Sequence, residues 1–484
     1  MALLPLPGRA QQPANTLPGW EQWNSPVPAW LQDAKFGIYF HWGVYTVPAY
    51  NSEWYSRSMY VPGTGPYRHQ DSVYGPRTQF GYKEFIPMFQ APRFNADEWV
   101  DLFVRAGARF AGPVAEHADG FSMWDSRVNP WNAKNMGPKR DIVGLMEKAV
   151  RKRQLKFITT FHHQWLWGWY PTFDSSLDAG NPKYAALYGP RVSTAAWQQK
   201  DSAERPNDAF CATWLAKVQE VVGKYHPDLL YFDSRLGHIG ESYRKQVVQT
   251  FQGSAKDRGK KVILYKGKDL PEGIGVRTYE KSRMNRMNET TWLTEEPIST
   301  YSWSYTQDMV LRPAEDIVKG MVDIVSKNGV YLLNICPKAD GTIPQEQQAI
   351  LLAIGGWLKK YGEAVYGTRT WHTYGEGPRK DGEEKVDPAD RKKYHTLKFT
   401  AEDIRYTRKG NVVYAISLGR PSGTLLLRSF KGDATPQTKV SRVTMPGSSA
   451  KIKWTQTAEG VSIEVPAGVT GEMPAVFKME TKGI

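Results

Sequence analysis

A chain of 484 residues with 40% apolar side chains can bury a large core, enough for two or three domains or for one large barrel with an addition. A formal charge of +14 invites acidic partners, but the 63 Lys and Arg are scattered rather than gathered in blocks, which argues against nucleic acid and keeps an anionic glycan or lipid in view. No apolar run reaches the length of about 18 residues that a membrane-spanning helix needs, and Cys211 and Cys336 lack zinc-like spacing and sit in apolar segments, as free buried thiols do.

Residues 1–20, rich in Pro, Gln and Ala, read as a leader or unstructured N-terminus, and a secreted or periplasmic protein whose signal peptide is processed is the expectation. Eight strand-like runs follow, mostly separated by helical patterns. Phe36–Phe40 ends in His41-Trp42-Gly43. A long Tyr-, Trp-, Pro- and Gly-rich connection from Thr46 to Gln90 is of a length that is usually functional. After the amphipathic segment Ala96–Ala106, Arg109–Ala115 ends in Glu116-His117. Lys156–Phe161, after a helix over Asp141–Arg153, ends in His162-His163. A helix over Ala209–Lys224 leads to the apolar run that stops abruptly at Asp233. Lys261–Tyr265 and Gly275–Tyr279 follow, the latter ending in Glu280, then Ile298–Trp303 and, after a helix over Ala314–Lys327, Gly329–Ile335. Alternating strands and helices predict a parallel sheet, and eight units predict a distorted (β/α)8 barrel over residues 21–368. Beyond, short alternating runs (Val412–Leu418, Thr424–Leu427, Lys439–Val443, Ile452–Thr455, Val461–Val465) predict a small β-sandwich over residues 369–484.

An ionised Asp is costly to hide inside a doubly covered strand, so Asp233 belongs at the open carboxyl end, where barrels keep their chemistry. Ionisable or polar residues end almost every other strand: His41, Glu116, His117, His162, His163, Lys266, Glu280, Trp303 and Asn334. Two carboxylates with imidazoles and tryptophans at one mouth suggest glycoside hydrolysis, in which one carboxylate attacks or steers water and the other protonates the leaving oxygen. A metal hydrolase is the rival. Adjacent His162 and His163 would point opposite ways on a strand, and no His-x-His is present, so no metal is expected. A phosphate-binding Gly-x-x-x-x-Gly-Lys loop and a Gly-x-Ser-x-Gly elbow are absent.

The block Lys35-Phe36-Gly37-Ile38-Tyr39-Phe40-His41-Trp42-Gly43, with Val47-Pro48-Ala49 and Glu53-Trp54-Tyr55, resembles the opening signature of glycoside hydrolase family 29, the α-L-fucosidases. His117-Ala118-Asp119-Gly120-Phe121 with Trp124-Asp125-Ser126, Leu229-Leu230-Tyr231-Phe232-Asp233, and Leu332-Leu333-Asn334-Ile335 with Pro337-Lys338-Ala339-Asp340-Gly341 resemble later blocks of the same family, in order, over residues 20–370. The resemblance implies a retaining, exo-acting double displacement on terminal α-L-fucosyl linkages without a cofactor. Asp233 matches the nucleophile, and His41, Trp54 and His117 match positions that hold sugar hydroxyls. Glu280 matches the acid/base, with Glu295 and Glu296 as alternatives and Glu53 or Glu116 behind them. Glu53, His162, His163, Tyr231, Lys266 and Trp303 complete the expected pocket.

Three departures stand at that pocket: Ala118 where the family carries a second histidine, Ser234-Arg235-Leu236 after the nucleophile, and Tyr265-Lys266-Gly267 after the fifth strand. They suggest an open wall at Ala118 and cationic partners, Lys266 and Arg235, for a substituted or sulfated fucose. The alternatives are a related α-L-galactosidase or fucan-degrading enzyme on the same scaffold, and a non-catalytic carbohydrate-binding protein. Oligomeric state is left open.

Overall fold

The computed structural model describes residues 19–198, 204–266, 269–281, 284–379, 399–432, 438–469 and 471–482; the N-terminal segment read as a leader lies, through Pro18, outside them. Eight parallel strands close a barrel in sequence order: β1 (Phe36–Phe40), β2 (Phe110–Glu116), β3 (Lys156–Phe161), β4 (Leu229–Phe232), β5 (Ile263–Lys266), β6 (Val276–Thr278), β7 (Trp292–Pro297) and β8 (Gly329–Ile335). Nearly every strand residue is buried, as expected of a parallel sheet covered on both faces. The helices Ala96–Arg105, Ile142–Lys152, Asp208–Tyr225, Glu241–Asp257, Ala314–Ser326 and Gln345–Tyr361 supply the outer cover. The seam is thinnest at β5 and β6, of four and three residues.

Side chains alternate across each strand, and the two hydrophobic clusters separate along that alternation. Tyr39, Phe110, Val114, Ile158, Leu229, Tyr231, Ile263, Val276, Leu293, Val330 and Leu332 fill the barrel interior, with Leu31 of the helix Ala29–Ala34 packed among them. Phe36, Ile38, Phe40, Phe157, Phe161, Leu230, Phe232, Tyr331 and Leu333 face the helices. Between β2 and β3 the strands approach so closely that a Cβ on Gly112 would lie 1.6 Å from the Ile158 carbonyl oxygen, so only glycine fits there.

The seventh strand corrects the sequence reading. Ile298–Trp303 looks strand-like because apolar and small polar residues alternate, but β7 is the preceding run, Trp292–Pro297, which contains the adjacent Glu295 and Glu296. Both are buried. Glu296 faces outward to the Arg312 guanidinium at 2.8 Å and the Tyr331 hydroxyl at 2.9 Å, and Glu295 faces inward to the Tyr231 hydroxyl at 3.4 Å. These partners make a charged strand tolerable.

After the helix Gln345–Tyr361 the strands β9 (Gly375–Glu376), β10 (Ile404–Lys409), β11 (Val412–Ser417), β12 (Thr424–Leu427), β13 (Lys439–Thr444), β14 (Trp454–Thr457), β15 (Gly460–Glu464) and β16 (Ala475–Lys482) form two antiparallel sheets, ordered β13-β16-β11-β10-β9 and β12-β15-β14. This is the expected sandwich; β9, β10 and β16 are additions to the sequence reading.

One buried ion cluster ties sandwich to barrel. Arg405 Nε of β10 donates to Asp323 Oδ1 at 2.5 Å and Lys327 Nζ to Asp323 Oδ2 at 2.8 Å, with Asp323 on the helix Ala314–Ser326. Burial alone would raise the Asp323 pKa; Lys327 and Arg405 outweigh it and hold the carboxylate below its usual range. The stabilisation is therefore present at neutral pH and fades in acid. Asp323→Ala removes the carboxylate from between two buried cations and is expected to cost about 3 kcal/mol, read by denaturant unfolding. A loss below about 1 kcal/mol would mark the cluster as no stronger than a surface pair.

Candidate active site

The alternation that fills the barrel also aims its upper end. Continuing the inward series by two residues takes Tyr39 to His41, Thr160 to His162, Tyr231 to Asp233 and Leu332 to Asn334. His41, His117, His162 and Asn334 are buried there, and Asp233 is half-buried.

The imidazoles form a hydrogen-bonded chain. Asn334 Nδ2 donates to the Trp303 carbonyl at 2.6 Å, which turns Oδ1 toward His41. Oδ1 accepts from the His41 backbone N–H at 3.0 Å and from Nδ1–H at 2.7 Å. A neutral His41 then has its lone pair on Nε2, which lies 3.3 Å from His162 Nε2 and accepts its proton. Burial depresses all three histidines, His41 to about 4 and His117 and His162 well below the usual imidazole range, so the rings are neutral at pH 7. His117 stacks on His162 with centroids 4.7 Å apart. Nδ1 of each is buried without a protein partner; in a buried site an unmet polar atom costs about 1–3 kcal/mol, and a ligand hydroxyl would offset it.

Asp233 sits at the end of β4, its backbone N–H bonded to the Phe161 carbonyl at 3.0 Å. Gln164 Nε2 donates to the carbonyls of Asp233 at 2.7 Å and Ser234 at 3.0 Å and so fixes the turn. Burial first, and then the Glu280 carboxylate, lift the Asp233 pKa to about 7. Trp165 turns its indole N–H toward the Asp233 carboxylate, which favours the ionised form, although the pair falls short of full hydrogen-bond geometry. Glu53, from the long connection after β1, is buried and accepts from the Trp303 backbone N–H at 3.1 Å. Burial raises its pKa; hydrogen bonds and Lys281 oppose the rise and Glu280 adds to it. Lys281 lies 4.9 Å over the Trp303 ring. Half-buried Trp54, Trp165 and Trp303 form an aromatic rim: Trp303 is 5.5 Å from His41, and Trp54 is 5.4 Å from Trp165 and 4.7 Å from Trp169.

The structure thus brings together Asp233, Glu280, Glu53, His41, His117, His162, Trp54 and Trp303, with Tyr231 in the floor, where it packs 6.0 Å from His162. It removes others. His163 faces away from the mouth, stacked 5.7 Å from Trp214 with Nε2 near the Trp214 carbonyl, because it has the opposite parity to His162. Glu116 is locked to Lys217 Nζ at 2.6 Å behind the wall, and Glu296 faces outward to Arg312, while Glu295 faces inward against the Tyr231 hydroxyl. Lys266 ends β5, but its side chain lies outside the described residues. Ala118 does not open the wall: its methyl is buried in the outer core, and His162 supplies the imidazole beside His117. Sequence reasoning missed Gln164, Trp165 and Lys281. The aromatic run His-His-Gln-Trp-Leu-Trp was the signal for the first two.

His41, His117 and His162 place their ring nitrogens within 4.8 Å of one another, a set that could hold a metal ion and that sequence spacing hid. In the hydrogen-bonded arrangement both His41 nitrogens are engaged, so a metal would have to break that chain.

Comparison with known proteins converges on one family. Residues 6–363 match the family model described as Alpha-L-fucosidase, and residues 398–480 match the Alpha-L-fucosidase C-terminal domain. The chain is 30% identical to rat tissue alpha-L-fucosidase over 475 residues, 96% of this chain and 91% of that protein. It is 29% identical to the human one over 485 residues, covering 98% and 93%. Thermotoga maritima alpha-fucosidase in complex with fucose superposes with a TM-score of 0.74 at 26% identity, over 95% of this chain and 99% of that one. The same protein with a mechanism-based inhibitor gives 0.75. Because a metal would have to break the His41–His162 hydrogen bond, chelator treatment is expected to leave activity unchanged; loss on chelation with recovery on adding zinc would make the three histidines a working metal site.

Proposed function

The chain belongs to the α-L-fucosidase family, glycoside hydrolase family 29, and we propose that Asp233 and Glu280 carry out its retaining hydrolysis of terminal α-L-fucosyl linkages. The enzyme is an exo-acting glycoside hydrolase on fucosylated glycans. The observation that carries the residue assignment is that half-buried Asp233 at the barrel mouth has a second carboxylate nearby, exposed Glu280, whose charge acts on it more strongly than that of any other residue. Asp233 attacks the anomeric carbon and forms a glycosyl ester while Glu280 protonates the leaving oxygen. Glu280 then takes a proton from water as that water opens the ester. Neutral His162 keeps an acceptor, Nδ1, and neutral His117 a donor and an acceptor for sugar hydroxyls, where a charged ring could only donate, and the tryptophan rim offers apolar faces to the sugar.

A second reading makes Glu53 the acid. It is supported by burial that raises the Glu53 pKa, since a general acid must hold its proton until attack. Glu280 is preferred because its effect on Asp233 is the larger of the two. The catalytic domain is taken as residues 21–368 and the sandwich, residues 369–484, as its support or a glycan-binding module. Among the described residues no helix is long and apolar enough to cross a membrane. A secreted or periplasmic setting is supported by glycan substrates that lie outside the cytoplasm, and cell fractionation tests it.

Asp233→Gly is expected to abolish turnover with the fold intact, and azide should restore it as a glycosyl azide of inverted anomeric configuration; near-normal activity without azide would remove Asp233 from the mechanism. Asp233 works as the carboxylate, and its pKa is raised to about 7. Activity on an activated aryl fucoside should therefore fall as pH drops below about 7, by about tenfold per unit. Glu280→Gln removes the neighbouring charge and should move this acid limb to lower pH. An unmoved limb, with Glu53→Gln moving it instead, would exchange the two roles.

A further inference from the structure

We propose that Arg235, stacked on Trp165 at the rim beside Asp233, forms a subsite for an anionic group, sulfate or carboxylate, carried by the glycan next to the cleaved bond, with exposed Arg205 adding to the positive field. The inference rests on the fucosidase reading and names its substrate class.

Arg235 lies two residues beyond Asp233, in a left-handed backbone conformation with φ 71° that leads into the turn Leu236–His238. Its guanidinium carbon is 4.1 Å above the Trp165 ring, the same indole whose N–H faces the Asp233 carboxylate. Stacking holds the guanidinium by its face and leaves its N–H edges open in the plane, the geometry that grips two oxygens of a sulfate or carboxylate at once.

The charge there is uncompensated. Three partly or fully buried arginines elsewhere in the chain are paired with acids: Arg151 with Glu147 and Asp228, Arg312 with Glu296, and Arg405 with Asp323. Among the described residues Arg235 has no hydrogen bond or ion pair, and neither has exposed Arg205. Half-buried Arg57 nearby donates to the carbonyls of Gly168, Trp169 and Trp197, which satisfy its hydrogens but cannot neutralise its charge. The cations feel one another: besides burial, Arg205 depresses Arg235 and Arg235 depresses Arg57. Among the described residues neither neighbouring acid pairs with these arginines: Glu204 accepts from the Ser193 backbone N–H at 2.9 Å, and Asp269 acts on His238. An anion would relieve this repulsion where an aglycone or a substituent leaves the mouth.

Four fucosides test the subsite: a neutral α-L-fucosyl disaccharide, the same with sulfate on the fucose, the same with sulfate on the acceptor sugar, and one with a uronic acid acceptor. kcat/KM is measured at two salt concentrations for the full chain, Arg235→Gln and Arg205→Gln. One anionic substrate should exceed the neutral one by about tenfold, the order of a charge-assisted hydrogen bond, and which one does so locates the charge. The advantage should shrink as salt rises, through screening over about 10 Å at 0.1 M. It should collapse in Arg235→Gln and weaken in Arg205→Gln, which lies on the surface and leaves folding untouched. Anionic substrates no better than the neutral one, or an unchanged anionic-to-neutral ratio in Arg235→Gln, would overturn the subsite. Calorimetric binding of the same four compounds to Asp233→Asn gives that ratio without turnover. Failure to cleave any plain fucoside would thus sink the fucosidase reading, while the binding ratio still decides the subsite.

Discussion

Strand alternation in a closed parallel barrel is the constraint on which the site depends. Each inward position must either fill the interior or, at the carboxyl end, open onto the mouth. One residue of slip would exchange Asp233 for Phe232 and His162 for His163. The interior stack of Tyr39, Tyr231, Ile158 and Leu332 fixes that parity from below, so the hydrophobic core and the catalytic geometry are set by the same packing. The turn after β4 is then held by a single side chain, Gln164, across two successive carbonyls.

The mouth's electrostatics follow from burial acting differently on acids and bases. Desolvation favours the neutral form of each group. It lifts Asp233 and Glu53 and depresses the three histidines. Asp233 thereby titrates near 7, Glu53 is raised in the same direction, and the imidazoles remain neutral hydrogen-bonding groups. Lys281, over Trp303, opposes the rise of Glu53.

Much of this was legible in the chain. β1, β3 and β8 have the expected bounds because their runs are apolar throughout and end in polar residues. Asp233 was legible because a lone carboxylate at the end of such a run has nowhere else to go. β7 was not, since the partners that make Glu295 and Glu296 tolerable, Tyr231 and Arg312, are 64 and 16 residues away. The three-imidazole cluster was hidden for a related reason: spacing rules see neighbours along one strand, whereas His41, His117 and His162 come from three strand ends. Ala118 misled because a missing side chain in one segment says nothing about which other segment fills the space.

Behind the barrel wall, buried charges are matched with their opposites: Glu116 with Lys217, Glu296 with Arg312, Asp323 with Arg405 and Lys327. At the mouth the pattern reverses, and like charges gather: Asp233, Glu280 and Glu53 on one side, Arg57, Arg235 and Arg205 on the other. Such gathering weakens the fold locally, and structural packing alone gives no reason for it. Burial keeps the imidazoles neutral, so they add no charge to either group and remain hydrogen-bonding partners for a sugar.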